Sequence, residues 1–130
     1  MIPLSDSEAT RRLTPANTIL IAANLAVFVL EVRLGAGAGR ELARFAMIPA
    51  EVSRIHAMAR ETDVLATLIT SMFLHANVLH VAGNMLYLFI FGPAVEERLG
   101  HVRFLAFYLI AGIVAALATV AMAPESQVAV

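Results

Sequence analysis

Residues 70–100 read TSMFLHANVLHVAGNMLYLFIFGPAVEERLG, and this stretch decides the fold. From Val78 to Val95 it carries no formal charge. A bilayer core of roughly 30 Å is crossed by about 20 apolar residues in a helix, so residues 78–95 read as one membrane span. The uncharged run in fact begins earlier, at Val64, which makes it too long for a single crossing. It also contains His75, Asn77, His80 and Asn84. Its first part therefore reads as re-entrant or interfacial.

Two more stretches lack formal charge, Leu13 to Leu30 and Phe104 to Pro124, and each fits one crossing. The expectation is an all-α membrane protein with three transmembrane helices, at residues 13–32, 78–95 and 104–123. Thr14-Pro15 places a candidate N-cap before a proline at the first helical position. Ala36-Gly37-Ala38 resembles a signal-peptide cleavage site, but the apolar run is too long for one and Glu31 and Arg33 intervene. Between the second and third spans, residues 96–103 form a short charged turn, so those two helices make an antiparallel hairpin. Residues 33–77 form a long first loop. Gly35, Gly37 and Gly39 make its entry flexible. Glu41 to Ile48 has Leu42, Phe45 and Ile48 at helical spacing, a pattern that Pro49 is expected to end. Glu51 to Arg60 suits a second short amphipathic helix, and a loop of this kind lies on the membrane surface.

Composition agrees with a lipid environment. Of 130 residues, 60% are hydrophobic and 15% charged, and the mean hydropathy is +0.81; a soluble body this small exposes too much surface for that balance. The net charge of −1 comes with scattered arginines, which excludes a nucleic-acid footprint. The absence of cysteine removes disulfides, thiolate metal sites and thiol nucleophiles together. Arginines are similarly numerous at both ends of the spans, so the positive-inside rule gives no orientation.

His80 and Asn84 lie four apart and share a helix face one turn apart, and Gly83 beside them offers a close backbone approach. Polar groups at membrane depth face the bundle interior or a water-filled cavity. Two fixed donors can serve as helix–helix glue, or they can stabilise the oxyanion of an acyl transfer. A metal centre is not indicated: His75 and His80 are five apart, no His-Glu-x-x-His motif occurs, and further ligands are lacking. His56 and His101 stand in polar connectors and read as solvated.

The runs Thr70-Ser71-Met72-Phe73-Leu74-His75, His80-x-x-x-Asn84-Met85, Phe91-Gly92, Val95-Glu96 and Arg98-Leu99-Gly100 together resemble the core signature of the rhomboid intramembrane serine proteases. Phe107-Tyr108, Ala111-Gly112 and, in the long loop, Phe45-Ala46-Met47-Ile48-Pro49 extend the resemblance from about Thr14 onward. It implies a bundle of six or more helices around a water-filled cavity, of which this chain is the first half. It implies a Ser–His dyad, with the serine in a Gly-x-Ser-Gly motif opening the fourth helix and the histidine on the sixth. His80 and Asn84 then line the oxyanion hole, and His75 supports the loop and cavity. Glu96 and Arg98, with Gly100, tie the turn between the second and third helices. The implied substrates are transmembrane proteins, cut within the bilayer without metal or cofactor. The implied location is multi-pass in a bacterial inner membrane, with the N-terminus cytoplasmic.

One departure matters. No Gly-x-Ser-Gly occurs in residues 1–130. The serines present are Ser5, Ser7, Ser53, Ser71 and Ser126; Ser126 reads as solvated, and Ser71 has His75 four residues away but no third group to orient it. The expectation is an amino-terminal fragment, inactive alone, of a rhomboid endopeptidase. The alternatives are a non-catalytic rhomboid-like pseudoprotease and a small helical-bundle membrane protein.

Overall fold

The computed structural model describes residues 14–35, 44–54 and 61–128. Within them lie α1 (Pro15–Leu34), α2 (Pro49–Ser53), α3 (Glu61–Thr70), a 3-10 turn (Ser71–Phe73), α4 (Val78–Leu99) and α5 (His101–Met122). Among the described residues there is no strand. The helices α1, α4 and α5 are each long and apolar enough to cross a membrane. The sites at Ala36–Gly39, Ser5, Ser7, His56, Arg11, Arg12, Arg40 and Arg60 lie outside the described residues.

Helix α1 begins at Pro15, whose fixed φ suits the first helical position. The Thr14 side chain makes no capping bond; the free N–H groups are met by another helix, as described below. Helix α4 has its own cap. Leu74 is extended (φ −90°, ψ 142°) and breaks the 3-10 turn, after which the Asn77 side-chain oxygen accepts the His80 N–H at 2.9 Å.

At its other end α4 runs on to Leu99, so the expected turn over residues 96–103 shrinks to Gly100 alone. In an apolar solvent a backbone group outside a helix lacks a partner, which favours extending both helices until one residue joins them. That residue has φ +79° and ψ 161°, a conformation open in practice to glycine only. Its N–H donates to the Glu96 carbonyl at 2.8 Å, and its own carbonyl accepts the Phe104 N–H at 2.9 Å.

Pro49 also acts differently from the expectation. Arg44 to Ile48 form turn and extended backbone rather than helix, and residues 41–43 lie outside the described part. Pro49 opens α2, because a ring that cannot continue a helix is preorganised to start one. Of the helix expected over Glu51–Arg60, only the part to Ser53 forms among the described residues. Helix α2 is clasped by the segment after α5. The Ala50 N–H donates to the Ser126 carbonyl at 3.0 Å, the Ser53 hydroxyl to the Pro124 carbonyl at 2.8 Å, and Arg54 pairs with Glu125. Ser126 is therefore half-buried rather than solvated.

Helix α1 packs chiefly on α4, with α5 against both. Ala16 and Leu20 of α1, Leu88 of α4 and Phe104 of α5 form the buried centre. Outside it the surface is apolar: Leu79, Val102 and Met122 are 82, 81 and 87% exposed, as suits side chains whose solvent is lipid. Helix α1 comes close to α4 at Gly92, where an added Cβ would stand 2.1 Å from the Asn17 side chain. At Gly83, by contrast, an added Cβ would meet nothing within 4 Å among the described residues.

Candidate active site

Helices α1 and α4 run antiparallel, and a carboxylate ties them at each end. At one end is Glu96, 1% exposed. Its two oxygens accept the backbone N–H groups of Ala16 at 3.0 Å and Asn17 at 2.7 Å. These are donors that the first turn of α1 cannot satisfy internally. A negative charge there also complements the helix dipole. The same carboxylate contacts His101 Nδ1, so His101 is partly exposed but engaged, not merely solvated. Arg98 is exposed and makes no bond to Glu96 among the described residues, so Glu96 ties the turn to α1 rather than to Arg98.

At the other end the Glu31 carboxylate accepts the His75 backbone N–H, with its oxygens at 3.2 and 3.3 Å. The His75 ring is buried, edge-on to Phe28 with centroids 6.2 Å apart and edge-on to His80 at 5.3 Å. Among the described residues neither ring nitrogen of His75 makes a geometrically complete hydrogen bond, although the Phe73 backbone interacts with the ring. Burial first, and the neighbouring His80 second, hold this imidazole below its ordinary pKa.

Beside His80 a cleft of about 730 Å³ opens between α4 and α5. His80 and Asn84 both line it, with Tyr87 and Phe91 further along α4 and Phe107 of α5 also in its lining. Both polar side chains are exposed, and neither makes a hydrogen bond among the described residues. Their positions follow from the Asn77 cap: it sets the start of α4, and helical spacing then places His80 and Asn84 one turn apart on one wall. Ser71 reaches the same cleft, but its hydroxyl turns to the Leu68 carbonyl at 3.5 Å and makes no bond to His75. Two convergent donors at the wall of a cleft can stabilise a developing negative charge. Glu96, Arg98 and Gly100 do not line the cleft.

A set of polar residues on α1 escaped the reading of the sequence. Asn17 donates from its side chain to the Leu88 carbonyl at 3.1 Å. Asn24, 1% exposed, donates to the Leu20 carbonyl at 2.7 Å and reaches the Tyr108 hydroxyl at 3.4 Å. With Glu31 they recur every seven residues, which puts them along one stripe of the helix. That spacing was the available signal.

A family model described as Rhomboid domain matches residues 62–130, more than half of the chain. The rhomboid protease AarA of Providencia stuartii is 49% identical over 47 residues, covering 36% of this chain and 17% of that protein. The rhomboid protease GluP of Bacillus subtilis (strain 168) is 38% identical over 71 residues, 51% of this chain and 14% of that protein. RHOMBOID-like protein 6, mitochondrial, of Arabidopsis thaliana is 44% identical over 45 residues, 35% of this chain and 15% of that protein. The chain spans less than a third of the length of the curated relatives it matches. No solved structure matches it.

Proposed function

The chain belongs to the rhomboid family, and on that premise we propose that it supplies the oxyanion-stabilising part of an intramembrane serine endopeptidase. One observation carries the reading: His80 and Asn84 stand a turn apart on one wall of the cleft, and neither side chain makes a hydrogen bond among the described residues. A serine attacking a peptide carbonyl drives charge onto the carbonyl oxygen. An imidazole N–H from His80, an amide N–H from Asn84 and the serine's own backbone N–H form three donors for that charge. In the family pattern the serine and its histidine base stand on later helices, and residues 1–130 hold no Gly-x-Ser-Gly. The substrates are transmembrane segments of membrane proteins, reached from the bilayer, and the chemistry needs neither metal nor cofactor. The family's orientation in a bacterial inner membrane puts the α1 N-terminus, and with it the Glu96–His101 end, on the cytoplasmic side.

The test is cleavage of a transmembrane substrate by the complete gene product in proteoliposomes. His80→Ala and Asn84→Ala are each expected to lower kcat by about 10²–10³-fold, the usual effect of losing one oxyanion donor, with KM little changed. Wild-type rates in both variants would defeat the assignment. A complete product that cleaves nothing favours a non-catalytic rhomboid-like membrane protein instead. Residues 1–130 alone are expected to cleave nothing.

A further inference from the structure

The backbone N–H of His75 has no local acceptor. The 3-10 turn before it closes with the Leu74 N–H donating to the Ser71 carbonyl at 3.1 Å, Leu74 then becomes extended, and α4 does not start until Val78. A backbone donor left unpaired away from water costs about 1–3 kcal/mol. Here its acceptor comes from a different helix, 44 residues away in sequence: both oxygens of Glu31 lie at hydrogen-bond distance. Phe28 precedes Glu31 by three residues and shares its face of α1, and its ring abuts the imidazole of the same histidine. So α1 holds His75 at two points, one on its backbone and one on its ring.

What that grip controls is the neighbour. The His75 and His80 rings meet edge to face with centroids 5.3 Å apart and planes at 66°, while the His80 backbone is held by the Asn77 cap. The cap fixes where the His80 Cα stands. The His75 ring limits which way the His80 imidazole can turn into the cleft.

We propose that Glu31 is a positioning residue for the His80 donor, acting through the His75 backbone and ring; this rests on the oxyanion role assigned to His80 above. Glu31 does not touch the reacting atoms. A carboxylate suits the task, because a charged acceptor holds a backbone N–H more firmly than a neutral one. Misplacing a catalytic group by about 1 Å can cost up to 10²-fold in rate, and a partial rotation of His80 should cost less.

The experiment compares Glu31→Ala and Glu31→Gln in the complete gene product, with two readouts. In the cleavage assay, Glu31→Ala is expected to lower kcat roughly tenfold with KM within about twofold, while Glu31→Gln, which keeps a carbonyl acceptor, recovers most of the rate. In detergent micelles, the ring ¹⁵N and ¹H resonances of His80 are expected to shift in Glu31→Ala and to stay near wild type in Glu31→Gln. Wild-type kcat together with unmoved His80 resonances in Glu31→Ala overturns the proposal. A loss of folded protein in both variants overturns it too, since the role is then structural only. If the wild-type protein cleaves nothing, the protease reading fails, and the His80 resonances still decide whether Glu31 sets that ring.

Discussion

The two ends of the α1–α4 pair use the same chemical device for different ends. At each, a carboxylate on one helix accepts backbone N–H groups at the start of the other helix or in the loop that leads into it. At the Glu96 end the arrangement is closed: the acid is 1% exposed, its oxygens meet two helix N-terminal donors and a histidine, and the turn beside it is a single glycine. At the Glu31 end the arrangement is open: the carboxylate holds one loop N–H, and among the described residues the His75 ring nitrogens complete no hydrogen bond and the His80 and Asn84 side chains make none at the cleft. A saturated site resists change and stabilises the fold. An unsaturated one keeps donors free for a reacting group. The difference predicts that substitutions at the first end cost stability and those at the second cost function.

The largest effect should come from breaking the closed end. Glu96→Ala leaves two buried N–H groups without their acceptor, each costing about 1–3 kcal/mol when unpaired, a loss read from unfolding in detergent. Next is Gly92→Ala, which brings a Cβ into the buried Asn17 side chain and should cost about 1–3 kcal/mol. The double variant Gly92→Ala/Asn17→Ala should be less unstable than the two single effects added together, and simple additivity would mean the clash is not the cause. Smaller again is the contribution of Arg54 with Glu125. That pair is exposed, so Arg54→Ala should cost less than about 1 kcal/mol.

At the open end pH sharpens the comparison. The folded structure holds the His75 imidazole below its ordinary pKa, so as pH falls below about 6.5 the unfolded chain binds a proton that the folded one resists. Stability is then fully present above that value and declines as pH drops. Glu31 and His80 are the titratable groups that bear on His75 from α1 and α4. Hydrogen exchange of the amides around residues 75–81 should speed up toward pH 5, and His75→Phe should flatten the trend. Smallest of all should be the stability changes in His80→Ala and Asn84→Ala, within about 0.5 kcal/mol because both side chains are exposed. A large loss there would make them structural glue and erase the contrast between the ends.

Much of this was legible in the residues. The three spans follow from long uncharged stretches, and the pairing of His80 with Asn84 from a spacing of four. Where the reading missed, a local rule met a tertiary demand. The spacing around Pro49 suggests a terminator, but a proline that stops one helix can equally begin another, and only the neighbouring segments choose. The connector over 96–103 looked like a loop because it is charged, but backbone groups near lipid favour helix over loop. Glu31 was read only as a charge ending an apolar stretch, although with Asn17 and Asn24 it completes a spacing of seven that marks a polar stripe.

By itself the sequence determined the solvent, the number of long helices and which side chains of α4 share a face, because these depend on composition and on the helical repeat within one segment. The tertiary structure alone decided that Glu96 caps a helix 80 residues away, that Glu31 holds the backbone of His75, and that Gly92 makes room for Asn17. Each of those joins a donor or a space in one segment to a group in another, and which orphaned N–H meets which carboxylate is settled only when the helices pack.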